Sequence, residues 1–128
     1  MNANDPVANC IQANQLASVM NKTKWRKLAS AMTSNCDFEP EVRVKHLLDK
    51  EEPGGFTLLD WEWVKYGETN WIDWMELSPI RREYVGRLVD DKQTDFTEWL
   101  RTALRSQSIP FEETDGIFTV RGYIWPNA

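Results

Sequence analysis

The stretch from residue 95 to residue 123 constrains the fold more than any other part of the chain. Phe96, Trp99, Leu100, Ala103 and Leu104 recur at helical spacing and form one apolar face. Asp95 and Glu98 stand at capping-box spacing, with Asp in place of Ser or Thr, so Asp95 is expected to cap the helix. Ile109-Pro110 ends it, because the residue before a proline avoids helical backbone. Asp115-Gly116 then divides residues 111–113 from 117–123, which is a hairpin signal. A helix followed by a hairpin requires the helix to lie across the strands, with Phe118 and Val120 turned towards it.

The earlier segments extend this pattern. Asp5-Pro6 can open a first helix, with Asp5 as cap and Pro6 at the first helical position. Its apolar residues (Val7, Cys10, Ile11, Leu16) are loosely spaced, so residues 1–20 read as an N-terminal helix or arm. Asn21 can cap the next helix, where Trp25, Leu28, Ala29 and Met32 share one face. In residues 41–48, Val42, Val44, His46 and Leu48 alternate with Arg43, Lys45 and Leu47, as in a strand. Residues 60–66 read as a second strand with Trp61 and Trp63 on one buried face. Residues 67–70 form a turn, and 71–77 return as its hairpin partner. For residues 78–89 helix and strand both remain open; Gly86 tips the reading towards a bend and then a strand over 84–89. The expected architecture is a single α+β domain over residues 21–128. It has an antiparallel sheet of about four to six strands with two or three helices packed on it.

A chain of 128 residues suits one domain that needs no staples. Cys10 and Cys36 are the only cysteines and His46 the only histidine, too few for a disulfide framework or an ordinary zinc site. No apolar run has bilayer-spanning length, and no basic-then-apolar leader opens the chain, so a soluble cytoplasmic protein is expected. A net charge of −5 argues against a general nucleic-acid binder. Residues 37–62 carry eight acids (Asp37, Glu39, Glu41, Asp49, Glu51, Glu52, Asp60, Glu62) against Arg43, Lys45 and Lys50. Such a stretch either solvates a face or draws in a basic partner.

Tryptophan is the unusual residue. There are seven, and Trp61, Trp63, Trp71 and Trp74 fall within 14 residues, mixed with Asp60, Glu62, Asp73 and Glu76. Any one ring is expected first as core, because large aromatics are highly buried on average. An exposed one would make an interface anchor. Glu62, Glu76 and His46 could form an acid–base site only if the fold brought them together. Lys22, Lys24, Arg26 and Lys27 around Trp25 could touch a phosphate, though Gly54-Gly55 lacks the context of a phosphate-binding loop. No catalytic residue, metal ligand or cofactor is assigned.

Four segments resemble a family of short bacterial proteins with no assigned activity. They are Asn21-Lys22-Thr23-Lys24-Trp25, Leu59-Asp60-Trp61-Glu62-Trp63-Val64-Lys65-Tyr66-Gly67, Trp74-Met75-Glu76-Leu77-Ser78-Pro79-Ile80 and Asp115-Gly116-Ile117-Phe118-Thr119-Val120-Arg121-Gly122-Tyr123. The resemblance covers about residues 21–123. It implies a bacterial cytoplasmic protein and supplies no catalytic residues. In size, acidity and lack of a catalytic motif the chain is also similar to bacterial toxin-immunity proteins, an analogy of character. The expected function is therefore protein binding, as an immunity protein that blocks a basic toxin domain such as a nuclease. No membrane partner or direct nucleic-acid contact is expected. The expected contacts are Glu51, Glu52, Asp60, Trp61, Glu62, Trp63, Glu68, Trp71, Asp73 and Trp74. The alternatives are a small enzyme using Glu62, Glu76 and His46, or a nucleic-acid-associated module using the basic cluster.

Overall fold

In this computed structural model, which describes residues 5–126, Asp5 caps helix α1 (Pro6–Ala13) by accepting the Ala8 N–H at 3.1 Å. Residues 1–4 of the expected arm, and 127–128, lie outside the described residues. The chain continues through strand β1 (Ala17–Ser18) into α2 (Lys22–Met32), capped by Asn21, whose Oδ1 accepts the Lys24 N–H at 2.8 Å. Then follow β2 (Glu41–His46), α3 (Trp61–Tyr66), β3 (Ile72–Ser78), β4 (Ile80–Glu83), β5 (Lys92–Asp95), α4 (Thr97–Ser106), β6 (Glu112–Thr114), β7 (Ile117–Arg121) and β8 (Tyr123–Ile124). The fold is α+β with antiparallel pairing throughout.

The central sheet has the order β2-β3-β7-β6. Its register puts Val42, Leu77 and Phe118 in one row and Val44, Met75 and Val120 in the next. These rows face Trp25, Leu28, Ala29 and Met32 of α2, Trp61 and Val64 of α3, and Leu100 and Leu104 of α4. Full burial of each large apolar side chain is worth about 1.5–3 kcal/mol, so this layer is the main stabilising feature. The alternate rows form the sheet's other face. Arg43, Glu76, Thr119 and Glu112 make one, and Lys45, Trp74 and Arg121 the next. Two small ribbons complete the chain: β1 with β8, tying the N-terminal arm to the C-terminal end, and β4 with β5.

The C-terminal unit follows the expected plan with two corrections. Asp95 Oδ1 accepts the Thr97 N–H at 2.7 Å, so it serves the helix start from one residue further back, and Phe96 occupies the cap position. Glu98 pairs with Arg101 instead of closing a capping box. Trp99 is only partly buried, edge-on to Phe38 at 5.7 Å. The hairpin turn puts both Asp115 (φ 52°) and Gly116 (φ 80°) in the left-handed region, as a tight two-residue connection requires.

The largest correction concerns residues 60–66, which form helix α3 and no strand. Asp60 Oδ1 accepts the Glu62 N–H at 3.1 Å and so opens a helix. In a helix, positions i and i+2 lie on nearly opposite sides, so Trp61 and Trp63 part company. Trp61 pairs with Val64, at i+3, in the core, and its indole N–H is buried without a hydrogen-bond partner among the described residues. Residues 71–77 consequently pair with β2 and β7 and make no hairpin with 60–66. The strand expected over 84–89 is also displaced. Pro79 makes the bend, β4 occupies 80–83, and 84–89 forms the turn leading to β5. Strand β2 stops at His46, where the register shifts. Leu47 is therefore buried and Leu48 exposed, the reverse of simple alternation.

Candidate partner-binding surface

The expected contact residues do not share one place. Trp61 is core. Asp60 spends its carboxylate on the start of α3. Glu51 and Glu52 lie on the exposed loop after β2, where Glu52 approaches Arg43 at 3.6 Å. Arg43 gathers this side of the sheet. It bonds Glu76 at 2.6 Å and the carbonyls of Gly54 and Pro53 at 2.9 and 3.2 Å, and its guanidinium stands 5.8 Å from the ring centres of both Phe56 and Trp74. Trp74 thus serves as a platform for Arg43. Asp73 is buried at the register shift; it accepts the Trp125 indole N–H at 2.9 Å and stands 4.0 Å from Lys45. Arg43 was not singled out from the sequence, where it reads only as one of the polar alternates of β2.

The remaining residues come together as an aromatic tier. Trp71 stacks on His46 with ring centres 5.0 Å apart, and Trp63 meets Trp71 edge-on, also at 5.0 Å. The Trp71 indole donates to the Glu68 carbonyl at 2.7 Å, which fixes the ring. His46 is held in turn, because its Nδ1 accepts the Leu48 N–H at 3.0 Å. Trp63 and Leu48 remain 46% and 43% exposed, large values for apolar side chains seated on a fixed support. Glu62 follows Trp61 on the exposed side of α3, Asp49 lies in the turn after Leu48, and Glu68 reaches Lys22 at 3.6 Å. A rigid, half-exposed aromatic pair can bury a partner's apolar group, and exposed acids close by in the chain can draw in its cations. Leu48 is the member that sequence reasoning missed, since its exposure follows from the register shift.

Glu62, Glu76 and His46 do not form a common site. His46 lies opposite Ile72 and Glu76 opposite Arg43, four residues apart along β3, or roughly 13 Å at about 3.3 Å per residue. Glu76 is held by Arg43, His46 by Leu48 and Trp71, and Glu62 is exposed on α3. Within the basic cluster, Lys22 pairs with Glu68, and Arg26 Nε donates to the Lys65 carbonyl at 3.1 Å. Among the described residues no group of three or more His, Cys, Asp or Glu side chains is placed to hold a metal ion. No described helix is long and apolar enough to cross a membrane.

No curated protein and no solved structure matches the chain. A family model described as "Family of unknown function (DUF6678)" matches residues 7–127, reaching beyond the resembling segments at both ends. With all of α1 but Pro6, the aromatic tier and the C-terminal hairpin inside that match, the chain belongs to the DUF6678 family.

Proposed function

We propose that this chain is a protein-binding module, in its most concrete form an immunity protein that neutralises a bacterial toxin domain by direct one-to-one binding. The observation that supports this is the aromatic tier of Trp63, Trp71 and His46, exposed at Trp63 and Leu48, on a chain of net charge −5. Tryptophan held edge-on to a second, hydrogen-bonded tryptophan loses little rotamer freedom on binding, so most of its burial would appear as affinity. Glu62, Asp49 and the other acids of an acidic chain would speed encounter with a basic partner, a nuclease being one suitable class. Action in the bacterial cytoplasm goes with this reading.

The test needs a candidate toxin domain, sought first among the genes beside this chain's own. Co-expression should rescue growth of cells making that domain. Trp63→Ala should weaken binding by about tenfold or more, the effect of losing an interface anchor, while losing its contact with Trp71 should cost the fold only about 1 kcal/mol. The association rate should fall steeply as salt rises. A Trp63→Ala protein that binds and rescues like the parent would overturn the reading.

A further inference from the structure

Helices α2 and α4 carry six of the chain's 15 basic residues and one of its 20 acids, so their layer is positive on a chain of net charge −5. The one acid, Glu98, pairs with Arg101, and Lys22 pairs with Glu68. The ammonium groups of Lys24 and Lys27 have no hydrogen-bond or ion-pair partner among the described residues. Arg26 uses only its Nε, on the Lys65 carbonyl, and its two terminal nitrogens stay free among the described residues. This charge works against the fold. α2 has no acid in its first turn, and cations there oppose the helix dipole. A local rule broken with no compensating contact in the fold marks a place that serves something outside it.

Between the two helices runs a groove of about 630 Å³, inside the range of about 300–1,000 Å³ usual for ligand sites. From α2 it takes Arg26, Lys27 and Ser30, and from α4 Trp99, Thr102 and Gln107; no carboxylate lines it. The hydroxyls of Ser30 and Thr102, the Gln107 amide and the Trp99 indole N–H make no hydrogen bond among the described residues. The two ends of the groove differ. Phe96 stacks on Phe38 at 4.4 Å and Trp99 meets the same ring at 5.7 Å, so α4 starts beside the segment that leaves α2. Trp99 therefore stands near Ser34, at the C-terminal end of α2. Lys27 lies seven residues back along the helix, or roughly 10 Å at about 1.5 Å per residue. Nearby acids are few. Asp37, exposed and without an ion pair among the described residues, follows Ser34 at the aromatic end, where Asp95 serves the Thr97 N–H. Glu62, one turn before Lys65 on α3, forms no ion pair with Arg26.

We propose that this groove binds a nucleoside phosphate. The phosphate sits on Arg26 and Lys27, which supply charge-assisted hydrogen bonds. Ser30 and Thr102 meet the sugar hydroxyls, and the base packs on the exposed part of Trp99. One nucleotide covers the distance between the cations and the ring. The uneven charge selects a ligand that is anionic at one end only. A longer strand, or an acidic peptide laid along the groove, would bring further negative charge to the Asp37 end. Because the groove is open along one side, the ligand stays partly in water, and its dissociation constant is expected at about 0.1–1 mM. No residue of the aromatic tier takes part, so this inference does not depend on the proposed function.

NMR titration of the ¹⁵N-labelled full chain with AMP, to about 5 mM, tests the proposal. AMP should shift the groove-lining amides of α2 and α4 in a saturable way. Adenosine and inorganic phosphate each satisfy one end only and should bind at least about tenfold more weakly. Lys27→Glu, at an exposed position, should keep the fold and weaken AMP at least about tenfold. It should leave the small shifts caused by adenosine unchanged, since it alters the phosphate end alone. Ser30→Trp, also exposed, should fill the groove and remove both sets of shifts. Absence of saturable shifts, a Lys27→Glu protein that binds AMP like the parent, or phosphate binding as tightly as AMP would each overturn the proposal. So would an oligonucleotide of about ten thymidines that binds through the same amides more tightly than AMP, which would make the ligand single-stranded nucleic acid.

Discussion

Gly122 offers the sharpest test of the packing described above. It links β7 to β8, and its N–H donates to the Asp73 carbonyl at 2.8 Å while its carbonyl accepts the Val19 N–H at 2.9 Å. A Cβ added here would lie 3.2 Å from the Ile72 carbonyl carbon and closer still to its oxygen, with the Asp73 oxygen at 3.3 Å. The obstacle is the backbone of a central strand, which cannot move aside as a side chain can. Relieving the overlap means parting β3 from the β7–β8 connection. Overpacking of this kind costs about 1–3 kcal/mol, and each of the two backbone hydrogen bonds placed at risk adds about 1 kcal/mol. Gly122→Ala should therefore cost about 3–5 kcal/mol, a large part of a typical domain's 5–15 kcal/mol. Near this chain length each kcal/mol lowers Tm by about 3–5 °C, so a loss of about 9–25 °C is expected by circular dichroism. Gly54→Ala, where nothing lies within 4 Å of the added Cβ, is the control and should change Tm little. A Gly122→Ala protein melting with the Gly54→Ala control would refute the close approach of these strands.

Other outcomes follow from the same structure. Phe118→Ala, at a fully buried ring under α4, should cost about 3–5 kcal/mol in urea unfolding, whereas Trp99→Ala should cost about 2 kcal/mol because that ring is only partly buried. Glu52→Gln should change stability by less than about 0.5 kcal/mol, since its contact with Arg43 is long and exposed. Arg121 holds the Glu112 carboxyl below the usual glutamate range, and Arg101 does the same for Glu113. A carboxylate with a depressed folded pKa adds stability above its unfolded value of about 4.3 and loses it as pH falls through the folded one. Glu112→Gln/Glu113→Gln should flatten the fall of Tm below about pH 4.3; an unchanged slope would show that these pairs add nothing to folding.

Local chemistry determined much of this protein in advance. The helices capped by Asp5 and Asn21, the face of Trp25, Leu28, Ala29 and Met32, the α4 face, and the Asp115-Gly116 hairpin each depend on neighbours within a few residues. Their patterns were therefore complete in the sequence. The 60–66 segment was ambiguous because Trp-Glu-Trp-Val fits both periods: alternation joins Trp61 to Trp63, while helical spacing joins Trp61 to Val64. Tertiary structure chose the helix, because α3 could bury Trp61 and Val64 against α2 and the sheet. That choice released Trp63 to the surface, where Trp71 and His46 support it. The gathering of Arg43 with Glu76 and Trp74, the exposure of Leu48, and the placing of the 84–89 turn beyond the core are of the same kind. Each depends on strand register or on partners more than ten residues away, and hydrophobic periodicity within one segment carries no record of which distant segment will lie beside it.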